Sequence, residues 1–164
     1  MHPGIHAAKN PDKAAYIMAS SGQVISYGEL NEASNRGAQL FRGLGLGLGD
    51  NIAIYMENNP AFLQICWAAH RAGFYYTCIS SYLTAEEVDF IVGDCQAKVF
   101  ITSEAKADVA AELADMMPNA KTRLMVGEAI AGYQSYDGAI AAQPHGPIAD
   151  EYEGADMLYS SGTT

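Results

Sequence analysis

Along this chain the spacing of apolar positions switches repeatedly between the period of a strand and the period of a helix. Residues 14–19 and 23–25 flank Ser20-Ser21-Gly22 and predict a hairpin. Ser26-Tyr27-Gly28-Glu29 has capping-box spacing, and Leu30, Ala33, Ala38, Leu40, Phe41 and Leu44 continue one helical face behind it. A strand is predicted at 51–56. Asn59-Pro60 then starts a helix at 61–72, with Asn as cap and Pro at the first helical position. Its stripe is Phe62, Ile65, Cys66, Ala69 and Ala72, with Trp67 at the edge, and Gly73 closes it. Residues 74–79 are apolar on both faces, as in a buried parallel strand. Thr84-Ala85-Glu86-Glu87 is a second capping box and opens a helix to Val92. A strand at 98–102, a helix at 103–117, a strand at 123–126, a helix at 133–142, a loop at 143–154 and a strand at 155–160 complete the pattern. Repeated strand–helix–strand order with short loops predicts an α/β fold, a mostly parallel sheet flanked by helices.

Composition agrees with a folded domain and narrows its partners. Of 164 residues, 49% are hydrophobic and 17% charged, and the formal net charge is −10. An acidic surface speaks against nucleic acid or an anionic membrane as partner, although a nucleotide needs only a few local donors. The opening residues lack a basic and then apolar leader. The most apolar stretch, 61–83, is interrupted by Gln64, His70, Arg71 and Gly73, so no transmembrane segment is expected. The three cysteines, Cys66, Cys78 and Cys95, form no CxxC pair and read as reduced core thiols of a cytoplasmic protein.

Two candidate sites dissolve on their spacing. Gly43, Gly45, Gly47 and Gly49 lead from a helix into a strand, the reverse of a dinucleotide fingerprint, and read as a helix end and turn. Cys66 and His70 share a helical face but have no second pair of ligands, so no metal site is expected there. The segment from Met157 to Thr164 is different. An apolar strand end runs into Ser160-Ser161-Gly162-Thr163-Thr164. Glycine lets a backbone turn its N–H groups inward, and the hydroxyls add donors without bulk, a composition suited to polyphosphate. A lone run of this kind would read as a solvated turn.

Its neighbours change that reading. Tyr159 to Thr164 resemble the first half of the Y-S/T-S/T-G-T-T-G-x-P-K-G phosphate loop of the AMP-forming acyl-activating enzymes. That family includes acyl-CoA synthetases, peptide-synthetase adenylation domains and firefly-type luciferases. Ile25 to Leu30 are similar to its L-S/T-Y-x-E-L motif, and Leu46 to Ile54 to its G-x-x-x-G-D-x-V-A-I segment. Glu57 to Pro60, Arg71 to Tyr76 and Lys98 to Ser103 resemble three further motifs, in the family's order. One departure stands out: Thr77 to Ser81 replace the Pro and Asn that usually follow the aromatic.

The resemblance implies the N-terminal portion of the large, AMP-binding domain over residues 1–164, ending inside the phosphate loop and without the small C-terminal domain. The implied chemistry joins a carboxylic acid to coenzyme A through an acyl-adenylate, with ATP and Mg²⁺. Ser160, Ser161, Gly162, Thr163 and Thr164 are implied to hold the β- and γ-phosphates. No catalytic residue and no metal ligand is assigned, because the family's adenine, Mg²⁺, ribose and catalytic-lysine motifs lie further along. The piece by itself is expected to be inactive, and to self-associate through sheet edge and apolar surface left uncovered. The acyl substrate is left open. So are two alternatives: an amino-acid adenylation domain that loads a carrier protein, and a non-catalytic binding or interaction module.

Overall fold

The computed structural model describes residues 2–159. The hairpin forms as expected, β1 (Ala14–Ile17) antiparallel to β2 (Val24–Ser26). It follows a short helix, α1 (Pro3–Lys9), which has no apolar stripe to announce it. Pro3 sits at its start, and the His2 ring accepts from the Gly4 amide at 3.2 Å. Both capping boxes close. Ser26 and Glu29 start α2 (Tyr27–Gly43), and Thr84 and Glu87 start α4 (Ala85–Asp94). Asn59 caps α3 (Pro60–Arg71) by accepting from the Ala61 amide at 2.9 Å.

Among the described residues, six strands form one parallel sheet, in the order β7-β6-β5-β3-β4-β8. They are β3 (Asn51–Tyr55), β4 (Tyr75–Ile79), β5 (Val99–Ser103), β6 (Thr122–Val126), β7 (Gln134–Ser135) and β8 (Ala155–Asp156). Alternate residues feed two cores. Ile52, Ile54, Val99, Ile101 and Leu124 face α2, α3 and α6 (Tyr136–Ala141). Ala53, Tyr55, Phe100 and Met125 face α4 and α5 (Ala107–Leu113). Connections moving towards β8 cross on the first face and those moving towards β7 on the second, as a single crossover hand requires.

Four elements differ from the sequence expectation. The expected helix at 103–117 shrinks to α5, because Ser103 is the buried end of β5 and a tight turn fills 104–106. The helix expected from 133 starts at Tyr136. The Ser135 hydroxyl caps it, accepting from the Gly138 amide, while 134–135 pair with β6. Of the strand expected at 155–160, the described residues form strand only at 155–156. Lastly, β4 is not the strand buried on both faces. Tyr75 is 43% exposed, whereas β3 and β5 are buried at all five positions, since each lies between two strands of full length. The glycine-rich stretch is the turn it was read as, with Gly45 and Gly49 at positive φ.

The two helices on the first face approach closely at one point. A Cβ built on Gly37 of α2 would lie 2.6 Å from the Ala68 Cβ of α3, and both residues are buried. Alanine is intrinsically the better helix former by about 1 kcal/mol, but forcing a methyl into this contact costs about 1–3 kcal/mol. Gly37→Ala should therefore lower stability by about 1 kcal/mol in urea unfolding. Adding Ala68→Gly should recover part of that loss, so the two changes should be strongly non-additive. Additive effects would show that the helices do not touch there.

Candidate functional site

The candidate phosphate-binding residues Ser160, Ser161, Gly162, Thr163 and Thr164 lie outside the described residues. The structure describes the strand that leads to them and what holds that strand. β8 runs parallel to β4, pairing Ala155 with Tyr75 and Asp156 with Tyr76, at the amino end of β4. The Ala155 amide donates to the Phe74 carbonyl at 3.1 Å, and the Met157 amide donates to the Tyr76 carbonyl at 2.9 Å. The Asn51 amide group lies 3.4 Å from the Met157 sulfur, and the Tyr159 hydroxyl donates to Asp94 at 2.5 Å.

Residues 142–154 carry the chain to β8 from α6 on the far side of the first face. The stretch read as an exposed loop, 143–154, is one, and a row of donors on α2 holds it as a strap. Arg36 donates to the Gln143 carbonyl at 2.6 Å and Asn35 to the His145 carbonyl at 2.8 Å. Gln39 reaches the carbonyls of Gly146 and Pro147. Residues 35, 39 and 42 follow helical spacing, so they share a face. The strap also drops Ile148 into the core.

Its acidic end meets the basic carboxyl ends of α2 and α3, where the helix dipoles also favour cations. Arg42 pairs with Asp150 at 3.0 Å, His70 with Glu153 at 3.7 Å and Arg71 with Glu151 at 3.3 Å. The first two pairs have largely exposed carboxylates and contribute little. Arg71 is different, because its side chain is only 1% exposed. It also donates to the Asn31 side chain at 2.9 Å and the Asn31 carbonyl at 3.3 Å, and packs against the His2 ring. Burial and the adjacent Arg71 guanidinium hold the His2 imidazole below its ordinary pKa, so this contact is made by the neutral ring.

In a parallel sheet the default ligand crevice is the switch point at the strands' carboxyl ends. Here that point lies between β3 and β5, whose following helices leave to opposite faces. It is closed from within. The Glu57 carboxylate accepts from Ser103 at the end of β5 and from Asn59, the cap of α3, at 3.0 Å. Partial burial pushes its pKa up, but the bonds from Ser103 and Asn59 and the Lys106 charge outweigh it, so the carboxyl is held low. Lys106 itself donates to the Ser81 carbonyl at 2.9 Å. A cleft of about 480 Å³ lies at the opposite edge, between the loops that precede β3, β5 and β6. Its Lys98 is already paired with Asp50 at 2.8 Å. Neither place gathers convergent groups for chemistry. Among the described residues, no three His, Cys, Asp or Glu side chains gather to hold a metal ion.

The AMP-binding enzyme family matches residues 5–164, and the chain belongs to that family. Long-chain fatty acid transport protein 1 of Mus musculus is 29% identical over 168 residues, covering 96% of this chain and 26% of its own length. Crotonobetaine/carnitine–CoA ligase of Escherichia coli O1:K1 / APEC is 32% identical over 164 residues, covering 93% of this chain and 32% of its own. The chain thus spans about a quarter to a third of the curated relatives it matches. Among solved structures, the inhibitor-bound N-terminal domain of FACL13 from Mycobacterium tuberculosis superposes with a TM-score of 0.85 at 26% identity. The match covers 98% of this chain and 40% of that one. The anthranilate CoA ligase AuaEII, complexed with anthranoyl-AMP, gives 0.86 at 21% identity, over 99% of this chain and 32% of its own, a likeness of fold.

At Gly154 the strap lies directly against the backbone of Phe74. A Cβ there would sit 2.2 Å from the Phe74 carbonyl oxygen and 2.9 Å from its amide nitrogen. Backbone atoms cannot yield as a flexible side chain would. Gly154→Ala should therefore lift β8 from β4. Hydrogen exchange at the Ala155 and Met157 amides should accelerate by roughly tenfold or more, since about 1.4 kcal/mol is a factor of ten. The β3 and β5 amides should stay protected, and unchanged exchange at 155 and 157 would contradict the proposed contact.

Proposed function

We propose that residues 1–164 are the N-terminal part of the large domain of an AMP-forming acid–thiol ligase, an acyl-CoA synthetase acting in the cytoplasm on a small-molecule carboxylic acid, ATP and coenzyme A. The observation that carries this is the family match over 5–164, on a fold whose last described strand leads into Ser160-Ser161-Gly162-Thr163-Thr164. Relatives named as CoA ligases favour coenzyme A over a carrier protein as acceptor. The thiols Cys66, Cys78 and Cys95, all free, suit a reducing compartment.

The reaction has two steps. A carboxylate oxygen attacks the α-phosphorus of ATP, and pyrophosphate leaves. The thiol sulfur of coenzyme A then attacks the acyl carbon of the adenylate, and AMP leaves. The first step needs the triphosphate fixed in line and its charge met by donors. Ser160, Ser161, Thr163 and Thr164 supply hydroxyls and backbone N–H groups for that, and Gly162 lets the backbone close on the phosphates. Among the described residues no carboxylate cluster gathers that would hold Mg²⁺, so magnesium enters only as the companion of ATP. The Arg71-anchored strap and β8 contribute by positioning the segment that precedes the loop.

The chain alone contributes no residue to the adenine or acyl group in this reading. It should show no carboxylic-acid-dependent pyrophosphate exchange, and exchange above background from mass-verified chain would overturn that.

In a full-length enzyme carrying this segment, Thr163→Ala or Thr164→Val should lower kcat/KM for ATP roughly ten- to a hundredfold. The basis is that a hydrogen bond to a charged group contributes about 1.5–3 kcal/mol. The KM for the acid should change far less. Steady-state kinetics with an unchanged ATP dependence in both variants would remove the phosphate role from this loop.

A further inference from the structure

Two thiols meet where α3 lies against β4. Cys66 is buried in the middle of α3, Cys78 is half-buried in β4, and their sulfurs are 3.8 Å apart. Each is carried by a regular element with its own backbone ladder, so the encounter is built into the packing of helix on sheet. Cys95 lies in the other core, at the end of α4, with its thiol directed to the Val92 carbonyl at 3.6 Å. The sheet separates it from the pair. Cys78 is only partly buried whereas Cys66 is buried, so Cys78 is the thiol that a small solute reaches more readily.

We propose that Cys66 and Cys78 are a redox modification site, at which a hydroperoxide oxidises Cys78 and Cys66 resolves it to an intramolecular disulfide. The site stands apart from the ligase reading, since it needs neither nucleotide nor acid. The order of roles follows from exposure and hydrogen bonding. Either sulfur can donate in the contact between them, and when the Cys66 thiol donates it favours the Cys78 thiolate against the opposing effects of burial and of Asp156. The same bond and deeper burial push the Cys66 thiol up. Thiolate character and access are what make a cysteine reactive.

The chemistry balances. The Cys78 thiolate attacks one peroxide oxygen, the O–O bond breaks, and the other oxygen leaves as water or alcohol after taking a proton. Cys78 is then a sulfenic acid, oxidised by two electrons, and the peroxide is reduced by two. The Cys66 sulfur attacks the Cys78 sulfur, the S–O bond breaks, and hydroxide leaves as water with the Cys66 proton. To bond, the sulfurs must close from 3.8 Å to about 2.05 Å.

The test treats the folded 164-residue chain with hydrogen peroxide, blocks remaining thiols with iodoacetamide, and maps the products by mass. The expected product is a monomer lacking two hydrogens, with Cys66 joined to Cys78, Cys95 alkylated, and full reversal by dithiothreitol. With dimedone present, Cys66→Ala should accumulate an adduct at Cys78. Cys78→Ala should give roughly tenfold less adduct at Cys66, because Cys66 is buried where Cys78 is half-buried. A link to Cys95, a link between two chains, or both thiols still free after Cys95 has oxidised would each overturn the pairing. Equal adduct in the two variants would overturn the order of roles. If a variant loses its far-UV dichroism, mapping of the unmutated chain and of Cys95→Ala decides the pairing.

Discussion

A guanidinium taken almost wholly out of water must find its partners where it lies, and the burial of Arg71 organises this molecule around that need. An unpaired buried charge costs several kcal/mol, so a packing arrangement that left it alone would not persist. Its partners come from separate stretches of chain: the His2 ring before α1, Asn31 on α2 and Glu151 on the strap. Its own carbonyl accepts from the Tyr152 amide at 3.0 Å. One side chain at the end of α3 thereby joins the first helix, the long second helix and the segment that delivers the last strand. The close contact of Gly37 with Ala68 serves the same convergence, because it sets α2 near enough to α3 for Asn31 to reach Arg71.

That anchoring explains how β8 comes to lie where it does. The chain leaves β7 at one edge of the sheet and must return across the first face to the opposite edge. A traverse of this length exposes many carbonyls, and α2 meets them with side-chain donors instead of a ladder. Gly154 then lets the strap press onto Phe74 before strand pairing begins. The usual crevice of a parallel sheet is occupied by Glu57, Ser103 and Asn59, which bind one another. The strap thus delivers β8 to the β4 edge of the sheet, away from the switch point.

Much of the fold was legible before the structure. Ser26 with Glu29, Thr84 with Glu87, and Asn59 with Pro60 each specify a helix start through bonds made within four residues. Such local rules survive any tertiary context. The strands expected at 51–56, 98–102 and 123–126 declared themselves as short apolar runs between helices, and form within a residue of those bounds. The candidate loop was read in a different way, by its composition and its place after a row of ordered motifs, and it lies outside the described residues.

Other features depend on partners far away in sequence. Nothing local told that β4 would be only partly buried, since that depends on which distant segments pack against each of its faces. Tyr133 looked like helix, but its hydroxyl is drawn to the Ala110 carbonyl on one face while Tyr136 packs on the other, so the helix starts between them. Asp150, Glu151 and Glu153 lie in a loop that stays exposed, yet only the fold brings Arg42, His70 and Arg71 beside them. Cys66 and Cys78 read as separate core thiols until helix and strand were packed together. The sequence by itself determined the elements, their order and the parallel α/β class, because capping and periodicity act over a few residues. The tertiary structure alone decided which strand lies at the edge, which charges are buried and which thiols meet, because those depend on contacts between segments tens of residues apart.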